Sequence, residues 1–416
     1  MSCPKCHGNR RWPLYLALIA CAVLATLAVA AEPRLDLETA ARLTVQRQPL
    51  LTAQEAAIAA LREEAVAASQ LPDPRLVVGV EGLPTDSFSL TREAMTQTVV
   101  GLSQLIPGGD KRALASRRLE HAASREAIAL DIERRRVARA AGLAWLEAYA
   151  AEQTRTLTRD LEAEYSRQIE WNQVAYKTGQ LGQDETLAQR TQLEAVRSRL
   201  AQLDGTIARA RAGLTRWLGE AGRLPLAPLN PPAAPPDAGT LATRLDEHPE
   251  MRAAQAGLAA GQIEGKIARE AYKPDWSIDL TYGIRGEGRA DTLKLMVGVD
   301  LPLFPDKRQD RMLAARLAEV DRMAAVLEDR RRELAADLAA AWADWQSADM
   351  RLNRLTTDIL PLAERRIDSA LAAYQTGKAG YDRVLEARRA GLETRLEQLD
   401  LEVARAKAAV MLQYYQ

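Results

Sequence analysis

The sequence predicts a mainly α-helical fold of long antiparallel helices with a small β part of four strands in each chain. Three observations support this. Apolar residues recur every three or four positions over long stretches, the chain repeats itself at an offset of 198 to 200 residues, and each repeat holds two short alternating segments. Aromatic residues make up 5% of the 416 residues, with only 2 Phe, which is typical of long helices rich in Ala, Leu, Arg and Glu.

Composition excludes several classes of function. The 56 basic and 56 acidic residues give a net charge of zero, so no nucleic-acid partner is predicted. The chain has 3 His, and its 3 Cys all lie within the first 21 residues. Because later residues offer so few metal ligands and nucleophiles, we predict no enzyme activity, no cofactor and no metal site.

Residues 1–31 are predicted to be a signal peptide, because basic residues precede an apolar run and a polar start follows it. Ala28 and Ala30 suit cleavage just before the mature chain. Cys21 follows Leu-Ile-Ala and is a candidate for lipidation, although the residues after it are more apolar than a lipoprotein start. A retained membrane anchor is the third possibility.

The mature chain is predicted to consist of two structural repeats, residues 32–223 and 240–416, joined by a Pro-rich linker at 224–239. Each repeat is predicted to contain, in order, a helix, a strand pair, a very long helix, a tight turn and another long helix. The strand pairs are expected at 76–105 and 276–303, and the helical hairpin tips at 177–183 and 375–381.

The longest predicted helices run from about residue 111 to 176 and from about 307 to 374. Each would be roughly 100 Å long at 1.5 Å per residue, which is too long for a compact domain. Pro361 is expected to cause a local irregularity. The Arg triplets at 134–136 and 330–332 are interpreted as solvated helix faces.

The strands alternate between apolar and polar residues. Leu293, Leu295, Val297 and Val299 share one face of the fourth strand, and polar or small residues share the other. Such a sheet can pack on a soluble core, or its apolar face can meet lipid. Four strands cannot close a transmembrane barrel, so in lipid several chains would have to share one, and three chains would supply 12 strands.

The sequences of the two repeats match most closely at the hairpin tips. Tyr-Lys-Thr-Gly at 176–179 and Tyr-Gln-Thr-Gly at 374–377 stand 198 residues apart. The glycines are predicted to end their helices in the left-handed conformation, and Asp184 and Asp382 are predicted to cap the helices that follow.

The duplicated Tyr-x-Thr-Gly tips, the strand pairs opened by proline and the signal peptide resemble the TolC-type outer-membrane efflux channels, over about residues 35–416. Within that family the chain is most similar to the heavy-metal branch of CzcC and CusC. The resemblance implies a homotrimer in the outer membrane with a 12-stranded barrel and a long α-helical barrel in the periplasm. Its partners would be a periplasmic adaptor protein, an inner-membrane RND-type transporter and outer-membrane lipid, and it would passively conduct metal cations or other small toxic solutes.

The resemblance also implies roles for residues at the tips. The adaptor-docking residues would be Thr178, Gly179, Gln180, Leu181, Gly182, Thr376, Gly377, Lys378, Ala379 and Gly380. Asp382 and Glu386 would narrow the pore. Ala379 stands where better-known members carry Arg, so a gate that depends on that Arg is not expected here.

Two other functions remain open on the sequence alone. A periplasmic adaptor protein also has a long helical hairpin and strands, but usually only one hairpin. A structural periplasmic coiled-coil protein would need neither the alternating strands nor the glycine tips.

Overall fold

The computed structural model describes residues 34–179, 182–230, 232–286 and 288–416. The predicted signal peptide, with Cys21, and the tip residues Gln180 and Leu181 lie outside the described residues. Within the described part, no helix is long and apolar enough to cross a membrane.

The described residues of the first half form four α-helices and two strands. In chain order they are α1 (Leu37–Arg47), α2 (Pro49–Ala68), β1 (Arg75–Glu81), β2 (Gln97–Ile106), α3 (Lys111–Lys177) and α4 (Gln183–Leu218). The second half contains α5 (Ala238–Thr243), α6 (Pro249–Glu270), β3 (Trp276–Ile284), β4 (Thr292–Val299), α7 (Gln309–Arg354), α8 (Leu360–Gln375) and α9 (Tyr381–Gln413).

Local sequence explains where several helices begin. The carboxylate of Asp36 accepts a hydrogen bond from the Thr39 amide at 2.7 Å, and Asp237 accepts one from the Thr240 amide at 3.0 Å. These are N-cap interactions, which satisfy amides that have no partner within the helix. α2 and α6 each begin with proline, whose fixed φ suits the first position of a helix.

The four strands form one antiparallel sheet in the order β1-β2-β3-β4. β1 and β2 come from the first half, and β3 and β4 from the second, so the central β2–β3 pairing joins the halves. Four residues separate β2 from α3. Because α3 has 67 residues, the tip at its far end lies about 100 Å from the sheet at 1.5 Å per residue.

α3 is the central helix of the fold and packs against α1, α2, α4, α6 and α9. Its buried Trp145 lies in a core with Leu35, Leu146 and Leu214, and the Trp145 indole donates a hydrogen bond to the Leu35 carbonyl at 2.8 Å. α7 packs on α6 and α9, and α8 packs on α9. α4 and the α7–α8 segment are therefore the outer helices of the chain.

The predicted fold class is confirmed: the chain is mainly helical, with four strands in one sheet. Two details differ from expectation. β4 ends at Val299, four residues before residue 303, because its partner strand begins at Trp276, two residues after Pro274. The second long helix is interrupted by a π-helical turn at Leu355–Ile359, just before Pro361. The irregularity expected near that proline is thus present, displaced toward the preceding turn.

Candidate functional site

The apolar face of the sheet is the first candidate site. Residues paired across antiparallel strands lie on the same face. The register places one row of leucines across all four strands, and a second apolar row lies beside it. The first row is Leu76, Leu102, Leu280 and Leu295, and the second is Val78, Val100, Tyr282 and Leu293.

These side chains are exposed in the single chain. The exposed fraction is 66% for Leu76, 50% for Leu102, 46% for Leu280 and 66% for Leu295. The rows on the opposite face contain polar or small residues at many positions, including Gly101, Ser103, Asp279, Thr281 and Lys294. The described residues therefore leave a continuous apolar band of two four-residue rows uncovered. Large exposed apolar patches are uncommon on soluble monomers.

Aromatic residues stand near both ends of this band. Trp276 begins β3, and Tyr282 lies six residues further along the same face. At about 3.3 Å per residue, the two rings are roughly 20 Å apart along the strand. Aromatic girdles flank the apolar band of membrane β-barrels at a comparable height, about 25 Å.

Both edges of the sheet are open. β1 and β4 are the outer strands, and within the described residues each pairs on one side only. Unpaired amide and carbonyl groups cannot remain in a hydrocarbon environment. An apolar face with two open edges therefore needs further strands from other copies before it can lie in lipid.

The hairpin tips are the second candidate site. Gly179 and Gly377 have φ of +72° and +67°, as predicted for left-handed helix ends. At the second tip, the amide of Gly377 donates to the Tyr374 carbonyl at 3.0 Å, and that of Lys378 to the Ala373 carbonyl at 2.9 Å. This is a Schellman motif. The Thr178 and Thr376 hydroxyls donate to carbonyls of their own helices' last turns.

The predicted capping role of Asp184 and Asp382 is wrong. Gly182 and Gly380 are the N-cap residues, and neither helix start has a side-chain cap hydrogen bond. Each Asp is the second residue of its helix, where a negative charge is favourable to the helix dipole. Each carboxylate also lies against its N-cap glycine so closely that a Cβ there would collide with it.

The two acidic pore candidates differ in their surroundings. Glu386 forms ion pairs with Arg366 at 2.8 Å and with Arg383 at 3.5 Å. Asp382 forms no ion pair within the described part of the chain. The structure thus places an acid with two ion pairs and an acid with none among the described residues one helical turn apart.

A row of buried polar residues on α3 was not anticipated from the sequence. Glu164, Gln168 and Asn172 are 7%, 4% and 1% exposed, and each has a buried polar atom without a hydrogen-bond partner. The carboxylate of Glu164 lies 3.8 Å from Arg388 of α9. Their spacing of four residues indicates that they share one face of the helix. Only the packing of α9 on α3 shows that this face is covered.

The Arg triplets are only partly solvated, contrary to the sequence interpretation. Arg330 pairs with Glu250 and Glu333, and Arg135 donates to the Tyr414 carbonyl at 3.3 Å. His248, 4% exposed, lies beside them. Among the described residues, no group of three or more His, Cys, Asp or Glu side chains could hold a metal ion.

Comparison with known proteins finds one family-model match and several relatives. Residues 241–415 match the family model of the outer membrane efflux protein. The chain is 34% identical over 172 residues to protein CyaE of Bordetella pertussis, covering 38% of this chain and 36% of that protein. It is 29% identical over 231 residues to the cation efflux system protein CusC of Escherichia coli, covering 51% and 49%.

A third relative is the cobalt-zinc-cadmium resistance protein CzcC of Cupriavidus metallidurans, 26% identical over 224 residues and covering 52% of each chain. The matches span about half the length of these curated relatives or less. Solved structures match nearly the whole chain. Crystal structures of CusC match with a TM-score of 0.74 and 17% identity, covering 94% of this chain and 95% of that one.

The outer membrane channel CmeC of Campylobacter jejuni has a TM-score of 0.75 and 13% identity, covering 91% of this chain and 85% of that one. At these identities, the structural likeness establishes the fold alone. The arrangement of one sheet, long helices and two tips is thus shared with solved channels over almost the entire chain.

Proposed function

We propose that this chain, which has the fold of the outer-membrane channels and an efflux-protein match over its second half, is one of three subunits of an exit duct. The duct would lie in the outer membrane and extend into the periplasm. It would passively conduct solutes delivered by a periplasmic adaptor protein and an inner-membrane RND-type transporter.

This proposal is supported chiefly by one observation: the sheet has an uncovered apolar face and two open edges. Lipid would cover the apolar face, and neighbouring copies would pair with β1 and β4. Three copies would supply 12 strands, above the minimum of about eight for a transmembrane barrel. The polar and small residues of the other face would then line the water-filled interior.

The helices provide the length of the duct. α3 alone spans about 100 Å at 1.5 Å per residue, so the tips would lie deep in the periplasm when the sheet is in the outer membrane. CusC and CzcC are named for cation efflux and for cobalt, zinc and cadmium resistance. Metal cations, or other small toxic solutes, are accordingly the proposed cargo.

Two neighbouring residues on β4 test the membrane assignment. Leu295 belongs to the apolar face and Met296 to the opposite face, and they are 66% and 50% exposed in the single chain. A Lys facing the hydrocarbon near the bilayer midplane costs about 2–4 kcal/mol, whereas a Lys facing the lumen costs little. We expect L295K to be depleted from outer-membrane fractions and M296K to be retained.

The same two variants are then compared in planar lipid bilayers. M296K should form channels, with conductance altered by the added charge, and L295K should form few or none. Equal membrane recovery of the two variants, or a wild-type protein that neither fractionates with membrane nor conducts ions, would contradict the proposal. That outcome would favour the adaptor or scaffold function.

We also propose that the tips dock the adaptor through Thr178, Gly179 and Gly182 and through Thr376 to Gly380, with Gln180 and Leu181. Gly179 and Gly377 are surrounded by open space, so a partner can approach them. G179W and G377W should block export while self-association persists. G179N and G377N tolerate the left-handed backbone and should retain more export.

A matched control for the tip variants is G257W. Gly257 lies in α6, away from both tips, and also has open space around it. Export by G257W should therefore be near the wild-type level. Normal export by both tip Trp variants would remove the docking assignment without affecting the membrane assignment.

A further inference from the structure

His248 lies in a buried cluster that holds the end of α9. Its imidazole is 4% exposed, and its ring lies 5.0 Å from that of Tyr414 and 5.7 Å from that of Tyr415, centroid to centroid. We call His248, Glu250, Arg135, Arg330 and Tyr414 the α9-end clasp. It joins α3, the start of α6, α7 and the end of α9.

The hydrogen bonds of His248 require the neutral imidazole. Nε2 lies 3.0 Å from the Tyr414 carbonyl oxygen, and therefore donates its hydrogen to it. Nδ1 accepts a hydrogen bond from the Glu250 amide at 3.3 Å, which makes His248 the N-cap of α6. One nitrogen must carry a hydrogen and the other must not, so this tautomer satisfies both bonds.

A second proton would disrupt this arrangement in two ways. It would bind Nδ1 and place an N–H against the Glu250 N–H, which removes the cap of α6. It would also put a positive charge at a helix N-terminus, where the helix dipole disfavours cations. The cap and the dipole therefore both oppose the charged form.

The surrounding side chains would stabilise a positively charged His248 only weakly. Arg135 and Arg139 approach from α3 and Arg330 from α7. Glu250 already accepts hydrogen bonds from Arg330 and from the Tyr414 hydroxyl. The other acids near the clasp are Asp131 on α3, Glu333 and Asp337 on α7, and Asp246 and Glu247 before α6. Of these, Asp131 contacts Arg135, Glu333 contacts Arg330, and Asp246 contacts Arg331.

The pKa of His248 is accordingly below the ordinary value of 6.5, chiefly because burial disfavours the charged form, with further lowering from Arg135 and Arg330. The Tyr414 carbonyl and Asp131 act in the opposite direction. Below about pH 6.5 the unfolded or released state binds the proton more readily than the clasp does. The stability that neutral His248 contributes is therefore complete above that pH and is lost as pH falls toward the lower folded-state pKa.

We propose that His248 is an acid-operated release for the end of α9: protonation opens the clasp and frees Tyr414 and Tyr415 from α3, α6 and α7. Both tyrosines are 6% exposed and pack on an apolar cluster. The cluster includes Leu241, Leu245, Met251, Leu334 and Leu338. Acid would therefore expose this cluster and release the Tyr414 carbonyl from Arg135 of α3, which is a contact between the two halves of the chain.

The corresponding position in the first half, within the described residues, carries no titratable side chain. The position that corresponds to His248 is Gln48, before Pro49, and its side chain makes no cap hydrogen bond. Leu50 stands where the second half has Glu250. Glutamine does not titrate, so acid would act on one half only, and the first half shows that Gln is accommodated before this proline.

Hydrogen exchange of the full-length protein in detergent tests the proposal, read at peptides covering residues 405–416 and corrected for the intrinsic effect of pH. In wild type, lowering the pH from 7.5 to 5 should accelerate exchange. The acceleration should be about tenfold for each unit by which the His248 pKa is lower in the closed clasp than in the open one. H248Q should lose this acid response. H121Q, which removes the other described histidine, should keep it.

A second variant covers the case in which H248Q fails to fold. Asp131 raises the pKa of His248 and is partly exposed, so D131N should shift the acid transition to lower pH while leaving exchange at pH 7.5 nearly unchanged. Absence of an acid response in wild type, the same response in H248Q, or an unshifted transition in D131N would each overturn the proposal.

Discussion

Single charges near the second tip differ in how strongly they would act on an ion in the proposed duct. Asp382 has no ion pair within the described residues, whereas Glu386 is bound by Arg366 and Arg383. A carboxylate already bound to two guanidinium groups offers little attraction to a third cation. If three copies surround one axis, Asp382 is the main acidic contribution at this level, and Arg366 opposes it.

We therefore predict opposite effects for two substitutions in planar bilayers at low salt. D382N should lower the cation-to-anion permeability ratio, and R366Q should raise it because it removes a positive charge and releases Glu386. Each change should be roughly threefold, because that corresponds to only about 0.65 kcal/mol, less than the roughly 1 kcal/mol between two unit charges 4 Å apart in water.

The matched control for R366Q is R322Q. Arg322 is similarly exposed and also paired with an acid, but it lies on α7, away from the tip. R322Q should leave selectivity unchanged. If R366Q and R322Q have the same effect, the residues around Asp382 do not form the selective part of the pore.

The backbone of the tips could be predicted from the sequence only in part. The positive φ of Gly179 and Gly377 could be predicted because helix ends favour glycine in that conformation. The capping role of Asp184 and Asp382 could not be assigned correctly, because it depends on the residue at which the helix begins. A capping Asp must lie just before the first residue of its helix, whereas each of these Asp residues is the second residue of its helix.

Whole elements were predictable where periodicity is strong. Helical spacing indicated α3 as one helix, and alternation located all four strands. Pro361 indicated a break, but the π-helical turn lies at Leu355–Ile359. The sequence does not specify which turn absorbs a missing hydrogen bond, because that depends on how the helix packs on its neighbours.

The buried polar row on α3 illustrates a further limit at the scale of elements. Glu164, Gln168 and Asn172 would suit a solvated face, and nothing in their spacing shows that α9 covers them. A buried polar group without a partner costs about 1–3 kcal/mol. Glu164 offsets part of such a cost through ion pairs with Arg167 at 2.9 Å and Arg388 at 3.8 Å.

The described part of the single chain leaves surfaces that its own elements do not cover. The apolar band of the sheet is one, and the outer side of α4 is another. Leu187 of α4 corresponds to Leu385 of α9 at the repeat offset of 198 residues. Leu385 is 0% exposed and Leu187 is 52% exposed. The repeat thus buries one leucine within the chain and leaves its counterpart uncovered.

This difference predicts that a second copy covers Leu187 as the chain itself covers Leu385. Burying a leucine contributes about 1.5–3 kcal/mol, and each 1.4 kcal/mol is a tenfold change in affinity. L187D should therefore weaken self-association by roughly tenfold or more, measured by light scattering with detergent correction over a dilution series. L90D is the matched control, because Leu90 is 54% exposed in a loop with no buried counterpart, and it should associate like wild type. Equal association of L187D and L90D would place α4 outside the contact between copies.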